Sequence, residues 1–293
     1  MARPRVHEAA GVPAEIEQEL SASFDVVKAL DGADGVVTTP AVPVDAAFLD
    51  AVGPQLRIVA NYAVGLDNID LEATRARGVV VSNTPGVLTN ATAEHAIGLM
   101  LALLRRIVEG DRSLRRRDEW EWGPDFMVGE GLEGKRVLVV GPGRIGSRVG
   151  ELVRAHGAST SFAGRGDDLR RLLAAADVVT LHCPLTPETR HLIDADALAA
   201  MKPTAVLVNT ARGPVVDESA LVDALRRREL AGAALDVFEH EPVVPDELLA
   251  LENVVLTPHI ASATRETRHA MGMLVVSALR AVLLEDRIPE NAV

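Results

Sequence analysis

The stretch Lys135–Ala163, KRVLVVGPGRIGSRVGELVRAHGASTSFA, decides the fold of this chain. Its apolar run Val137–Val140 ends at GPGRIG (141–146), and apolar residues then recur at helical spacing, which predicts strand, glycine turn, helix and second strand. In such a unit the glycines allow a tight turn, close approach of a pyrophosphate and close helix packing. Unpaired N–H groups at the helix start favour phosphates. We therefore predict a dinucleotide site, the alternative being a turn without a ligand.

The composition is typical of a globular protein with room for two domains. The chain has 293 residues, 48% hydrophobic and 25% charged. Its net charge of −12 opposes binding to nucleic acid or to an anionic membrane. The single cysteine, Cys183, fits a reducing compartment. Since we find neither a signal-peptide core nor an apolar run of about 20 residues, we expect a cytoplasmic protein.

The first 90 or so residues alternate predicted strands with predicted helices. The strands are Val36–Val37, Ile58–Ala60 and Val79–Val81, and the helices are Glu15–Leu20, Asp45–Val52 and Leu71–Arg77. This alternation predicts a parallel sheet, whose ligands bind beyond the carboxyl ends of the strands. The segment Asn61–Asp67, which follows the Ile58 strand, is therefore a candidate binding loop.

A long helix is predicted next, from Thr92 to about Arg117, because its apolar residues keep helical spacing. The segment Asp118–Gly131 that follows is expected to be an extended loop carrying Trp120 and Trp122. Two large aromatic side chains in one loop are expected to dock on a partner subunit or in a cleft.

The second half of the chain predicts a sheet covered on both faces. Its strands are Val178–Leu181, Val206–Val208, Ala233–Val237 and Val254–Leu256, and its helices include Asp217–Arg228 and Thr264–Leu284. The last helix is expected to cross back to the first domain. The fold is therefore predicted to be α/β, with a Rossmann-type doubly wound parallel sheet in residues 92–264. A discontinuous, flavodoxin-like substrate domain is expected in residues 1–91 and 265–293.

Three polar residues follow three consecutive strands of the second half: Arg212, Glu241 and His259. We expect them to share one edge of the sheet with the glycine turn. An arginine can bind a substrate carboxylate through paired hydrogen bonds. A histidine can exchange a hydroxyl proton near neutral pH, and a carboxylate on its far nitrogen fixes its tautomer. Together they suit hydride exchange between a nicotinamide and a 2-oxo acid.

Each of these residues has a structural alternative. His259 can cap the Thr264 helix. Glu241 can be a surface turn residue, with His240 beside it as a rival proton donor. Arg212 can have only a structural role in the turn that follows it. The other histidines show no metal-ligand spacing, so no metal is predicted; they are His7, His95, His156, His182, His191 and His269.

Six segments together resemble the D-isomer-specific 2-hydroxyacid dehydrogenases, and most closely their glyoxylate/hydroxypyruvate reductase branch. They are NYAVGLDNID (61–70), GPGRIG (141–146), LHCPLTPETRHLI (181–193), LVNTARGPVVDE (207–218), GAALDVFEHEP (232–242) and NVVLTPHIASAT (253–264). The match runs from about Val36 to the C-terminus.

The resemblance implies roles for particular residues. The catalytic set falls on Arg212, Glu241 and His259. The substrate is held by Arg212, His259 and Trp122 with the Val64 and Gly65 N–H groups. Trp122 matches a tryptophan that reaches the neighbouring subunit's active site, so a homodimer is implied. The implied cofactor contacts are Gly141, Gly143, Arg144, Ile145, Gly146, Gly164, Arg165, Pro184, Thr210, Ala211, Asp236 and His259.

Two departures from the family pattern bear on the cofactor. Members that prefer NAD carry an aspartate after the second strand, where this chain has Gly164 and Arg165. A guanidinium suits a 2′-phosphate, so NADP(H) is predicted as the preferred cofactor, with NAD(H) as the alternative. The chain also lacks roughly a dozen family residues between Gly166 and Asp177, which corresponds to a missing helix–strand step.

The predicted function is hydride transfer from a nicotinamide cofactor to a small 2-oxo acid, glyoxylate or hydroxypyruvate, in a cleft between two domains. One alternative is a dehydrogenase for another D-2-hydroxy acid, such as 3-phosphoglycerate. Another is a dinucleotide-sensing, corepressor-like scaffold, which would not need the Arg212, Glu241 and His259 set.

Overall fold

The computed structural model describes residues 2–293, which form two compact α/β units. Unit 1 consists of the described part of Met1–Leu88 together with Ala263–Val293, and unit 2 is Thr89–Ser262. Within the described residues, no helix has the length and apolar character needed to cross a membrane.

The elements are numbered along the chain. The strands are β1 (Arg5–Glu8), β2 (Asp25–Val27), β3 (Gly35–Thr38), β4 (Ile58–Asn61), β5 (Val80–Ser82), β6 (Arg136–Val140), β7 (Ser159–Ala163), β8 (Val178–Leu181), β9 (Val206–Asn209), β10 (Gly232–Leu235) and β11 (Val254–Leu256). The helices are α1 (Ala14–Ser23), α2 (Ala46–Val52), α3 (Leu71–Ala76), α4 (Thr89–Leu104), α5 (Ile107–Arg116), α6 (Arg144–Ala155), α7 (Leu169–Ala175), α8 (Ala195–Ala200), α9 (Glu218–Arg226), α10 (Asp246–Leu249) and α11 (Arg265–Leu283).

Unit 1 is a parallel sheet with the strand order β2-β1-β3-β4-β5, the order of flavodoxin-like folds. The central strands β3 and β4 are buried along their whole length. Helix α11 returns from the end of the chain to pack against α1, β3 and β4. A Cβ on Gly272 would lie 2.3 Å from Ile16 Cγ1, so the glycine permits this close packing of α11 on α1.

Unit 2 is a parallel sheet with the order β7-β6-β8-β9-β10-β11. Alternate residues of β6 face two separate apolar cores, with Val137 and Val139 in one and Leu138 and Val140 in the other. The strand order changes direction beside β6, where the glycine turn begins, and such a switch point is where this fold binds ligands. β7 is the edge strand, in agreement with the missing helix–strand step expected from the sequence.

The prediction of one helix from Thr92 to Arg117 is wrong. The chain forms α4 and α5 instead, because Arg106 adopts a left-handed conformation with φ 55° between them. The N–H of Glu130 donates to the carbonyl of Leu104 at 2.8 Å, and this carbonyl lies at the end of α4. Arg106 also binds Glu109 in the first turn of α5. The break is therefore stabilised by a later segment of the chain.

The segment between α5 and β6 is the predicted extended loop, without helix or strand over residues 118–131. Trp120 stacks on Phe126 with ring centroids 6.0 Å apart. Trp122 is 80% exposed, and Val128 is exposed as well, so unit 2 alone leaves an apolar surface uncovered here.

Candidate functional site

The glycine turn after β6 fits a dinucleotide by its geometry. Gly141 has φ 94°, and a Cβ there would lie 2.6 Å from Cys183 N. Gly143 has open space where a Cβ would stand, so a phosphate can approach its backbone. A Cβ on Gly146 would lie 2.1 Å from Gly141 O, so only glycine allows α6 to approach the turn this closely. These are the three glycine roles of a pyrophosphate site.

The loop after β7 presents no acidic side chain at Gly164, the position from which a carboxylate would reach a ribose. Gly164 and Arg165 are both exposed. The Gly164 N–H donates to Asp167 Oδ2 at 2.8 Å, so an acidic group lies three residues further on. The guanidinium of Arg165 belongs to the same loop, which can therefore offer a positive charge to a phosphate.

The loop after β9 is shaped by buried Asn209. Its side-chain amide donates to Arg212 O at 2.9 Å, and its Oδ1 accepts the Ala211 N–H at 3.0 Å. Thr210 is 8% exposed, and its Oγ1 has no hydrogen-bond partner among the described residues. A buried polar atom without a partner is costly, so Thr210 suits contact with a polar group of a bound cofactor.

His259 and Glu241 form a hydrogen-bonded pair beyond β11 and β10. Glu241 Oε2 lies 2.8 Å from His259 Nδ1, and Glu241 Oε1 accepts the Phe238 N–H at 3.0 Å. Because an ionised carboxylate only accepts hydrogen bonds, the proton of this bond belongs to Nδ1. Nε2 is then the nitrogen through which His259 can exchange a proton with a substrate.

The pKa of Glu241 is lowered by its neighbours, which keeps the carboxyl ionised. Burial alone would raise the pKa of the carboxyl, but the hydrogen bond and charge of His259 bring it below its ordinary value of 4.5. The Phe238 N–H and the charge of Arg212 lower the pKa further. Arg212 is thus close enough to act on Glu241, so unit 2 brings together the three residues predicted from the strand ends.

The structural alternatives for these residues differ in outcome. Helix α11 is capped by Thr264, whose side chain accepts the Thr267 N–H at 3.2 Å, so His259 is not needed as its cap. His240 is exposed, and its carbonyl accepts the Val243 N–H in a surface turn. Of the two histidines, His259 is the one whose imidazole contacts the Glu241 carboxylate, at 2.8 Å.

Asp236 was predicted as a cofactor contact, and its carboxylate is wholly buried among protein donors. Oδ1 accepts Thr257 Oγ1 at 2.5 Å and the Ile260 N–H at 2.9 Å, while Oδ2 accepts the Ala261 N–H at 2.8 Å. His95 Nε2 lies 3.3 Å from Oδ1. The sequence carries no signal for this role of His95, because its partners Thr257 and Asp236 are far away along the chain.

In unit 1, the candidate loop after β4 is held by two side-chain amides. Asn61 Nδ2 donates to Gly65 O at 2.7 Å, and Asn83 Nδ2 donates to Val64 O at 2.9 Å. Within the described part of unit 1, the N–H groups of Val64 and Gly65 have no acceptor. They suit an anionic ligand.

One further predicted contact, Pro184, is on the surface of unit 2. Pro184 is exposed just beyond β8, and its carbonyl accepts Thr189 Oγ1 at 2.6 Å. Among residues 2–293, no three His, Cys, Asp or Glu side chains are grouped so that they could hold a metal ion.

Comparison with known proteins shows which family the chain is similar to. Residues 97–261 match the family model described as D-isomer specific 2-hydroxyacid dehydrogenase, NAD binding domain. A glyoxylate reductase from Korarchaeum cryptofilum is 44% identical over 284 residues, covering 92% of this chain and 85% of that protein. A crystal structure of a Thermus thermophilus protein has a TM-score of 0.92 at 41% identity, covering 99% of both chains.

A second similar structure was solved with ligands bound. It is an NADPH-dependent glyoxylate/hydroxypyruvate reductase from Sinorhizobium meliloti in complex with NADP and malonate. Its TM-score is 0.88 at 34% identity, and the match covers 100% of this chain and 97% of that one.

Proposed function

Because the chain belongs to the D-isomer specific 2-hydroxyacid dehydrogenase family, it is a nicotinamide-dependent oxidoreductase, and we propose that it reduces glyoxylate or hydroxypyruvate. The observation that carries the proposal is the 2.8 Å pair of His259 and Glu241, with Arg212 on the neighbouring strand end. Relatives named glyoxylate reductase support the choice of a small 2-oxo acid.

The chain's own residues account for the steps around the transfer. When bound, the reduced nicotinamide supplies a hydride to the carbonyl carbon of the substrate. Arg212 binds the substrate carboxylate through its guanidinium. In unit 1, the Val64 and Gly65 N–H groups are proposed as substrate-binding groups as well. His259 gives its Nε2 proton to the oxygen that becomes the hydroxyl. Glu241 stays ionised and stabilises the positive charge of His259 before this transfer.

NADP(H) is the preferred cofactor in this proposal. Gly164 carries no side-chain carboxylate at the end of β7, and Arg165 adds a positive charge to the loop that also contains Asp167. The ratio of kcat/KM with NADPH to that with NADH is expected to exceed about tenfold, or about 1.4 kcal/mol. A preference for NADH would contradict this part of the proposal.

A second copy of this chain is the proposed partner. The exposed apolar side chains of α5 and of the following loop are the surface that a dimer would cover; they are Ile107, Leu114, Trp120, Trp122, Phe126 and Val128. In this dimer Trp122 reaches the active site of the neighbouring subunit. Analytical ultracentrifugation should give twice the mass of 31.1 kDa. The cytoplasm is the proposed location, supported by the lone buried thiol of Cys183.

A spectrophotometric screen tests the activity itself. Consumption of NADPH would be followed with glyoxylate, hydroxypyruvate, pyruvate and phosphohydroxypyruvate. Highest kcat/KM with one of the first two supports the proposal, and a clear preference for phosphohydroxypyruvate moves it to another D-2-hydroxyacid dehydrogenase. Turnover with none of the four, together with tight dinucleotide binding, would identify a sensing scaffold instead.

A further inference from the structure

A chain of hydrogen bonds connects helix α4 to the loop that carries His259. His95 Nε2 lies 3.1 Å from Thr257 Oγ1 and 3.3 Å from Asp236 Oδ1. Thr257 Oγ1 in turn lies 2.5 Å from the same Asp236 oxygen. Asp236 is 0% exposed, whereas the His95 side chain is 22% exposed. The three side chains come from α4, from the end of β10 and from the end of β11.

The direction of these bonds follows from the acceptor. Burial raises the pKa of the Asp236 carboxyl, but hydrogen bonds from His95, Thr257 and two backbone N–H groups lower it below its ordinary value of 3.8. An ionised Asp236 accepts a hydrogen bond from the Thr257 hydroxyl. The Thr257 oxygen therefore has only lone pairs left to face His95. Nε2 of His95 must therefore carry a proton and donate it.

Asp236, the acceptor at the end of this series of hydrogen bonds, holds the backbone around His259. Asp236 accepts the N–H groups of Ile260 and Ala261, and its own carbonyl accepts the N–H of His259 at 2.8 Å. His259 needs such support because its φ is 53°, in the left-handed region that few non-glycine residues adopt. The orientation of the imidazole toward Glu241 depends on this backbone conformation.

We propose that His95 is a positioning residue, which acts through Thr257 and Asp236 to hold His259 in its proton-donating orientation. This inference rests on the proposed role of His259. In the molecule, His95 supplies a hydrogen bond from α4 to the acceptor that fixes the loop of residues 257–261. Loss of that bond leaves Asp236 with one donor fewer. The backbone of His259 is then free to leave its left-handed conformation.

The test is a set of substitutions with steady-state kinetics and direct titration of NADPH binding. His95→Leu removes the donor, whereas His95→Gln places an amide donor near the position of Nε2. We expect His95→Leu to lower kcat about 10- to 100-fold, the effect of a small misplacement of a reacting group, with the Kd for NADPH within about twofold. His95→Gln should recover most of that kcat. His156→Leu, at the exposed end of α6, is the control and should leave kcat unchanged.

Three results would overturn the inference: wild-type kcat in His95→Leu, equal kcat in His95→Leu and His95→Gln, or a loss confined to NADPH affinity. If His95→Leu does not fold, Thr257→Val and Thr257→Ser replace it, and only the valine variant should lose kcat. His259→Ala in the same assay distinguishes failure of the proposed role of His259 from failure of the proposed role of His95. If it retains activity, the proposed function of His259 fails, whereas its inactivity beside an active His95→Leu refutes only the role of His95.

Discussion

The two units present different groups in the loops at the carboxyl ends of their parallel strands. In unit 1, the loop after β4 is held by the side-chain amides of Asn61 and Asn83, which are neutral and do not titrate. The backbone N–H groups of this loop remain to bind an anion. In unit 2, the corresponding strand ends carry Arg212, Glu241 and His259, all charged or titratable. In the proposed function, the same sheet architecture thus offers backbone N–H groups to an anion in one unit and a proton donor in the other.

This difference shows that the fold places the loops while the loop residues decide the chemistry. Backbone N–H groups held by amides bind an anion at any pH near neutrality. A histidine paired with a carboxylate binds or releases a proton, and its effect therefore depends on pH. Substitutions in unit 2 should accordingly change kcat, and those in unit 1 should change KM.

The largest effect is expected for Arg212→Gln. The substitution removes the charge and paired donors that hold the substrate carboxylate, so kcat/KM for glyoxylate should fall about 1,000-fold, or about 4 kcal/mol. Steady-state kinetics with NADPH would measure it, with Arg226→Gln on the exposed face of α9 as control. A loss below about tenfold would show that Arg212 does not hold the substrate carboxylate.

Glu241→Gln should have the next largest effect. The amide keeps the shape of the side chain but no longer stabilises the imidazolium form of His259, so kcat should fall about 100-fold at pH 7. The loss should be smaller at lower pH, where a histidine needs no carboxylate to become protonated. A pH profile of kcat measures this, and an unchanged profile would mean that Glu241 has no influence on the proton donor.

A smaller effect is expected in unit 1 for Asn83→Ala. Loss of the bond to Val64 O loosens the anion-binding loop, which should raise KM about three- to tenfold, the value of one hydrogen bond. Because this binding is the same in the ground and transition states, kcat should change by less than about twofold. A decrease in kcat as large as that of Glu241→Gln would remove the distinction between the units.

The smallest expected effect concerns stability in acid. The folded pKa of Glu241 is below its ordinary value of 4.5. The carboxylate therefore stabilises the folded state above pH 4.5, and this contribution is lost as pH falls through the lowered folded pKa. Glu241→Gln should show a smaller decrease in free energy of unfolding between pH 7 and about pH 3. Urea denaturation at both pH values measures it, and equal decreases in both proteins would contradict the assigned pKa.

Local sequence signals predicted much of this molecule. The GPGRIG turn and the apolar strands of unit 2 depend on spacing within short segments, which is visible in the sequence. The grouping of Arg212, Glu241 and His259 followed from a rule of topology, since the ends of neighbouring parallel strands share an edge.

The missed features depend on contacts between distant segments. The sequence does not predict the strand β1, because RVHE contains few apolar residues. In the structure β1 pairs with both β2 and β3. The break between α4 and α5 is stabilised by Glu130, which lies beyond both helices. His95 has no local signal either, because its partners Asp236 and Thr257 belong to strand ends far along the chain.

His259→Asn provides the most direct measurement of whether unit 2 performs the proton chemistry. Single-turnover reduction of glyoxylate by bound NADPH would be compared in the variant and the parent protein, with NADPH affinity titrated in parallel. We expect the rate to fall at least about 1,000-fold while the Kd for NADPH stays within about twofold. Reduction at the parental rate would contradict the account, because the proton would then come from a group other than His259.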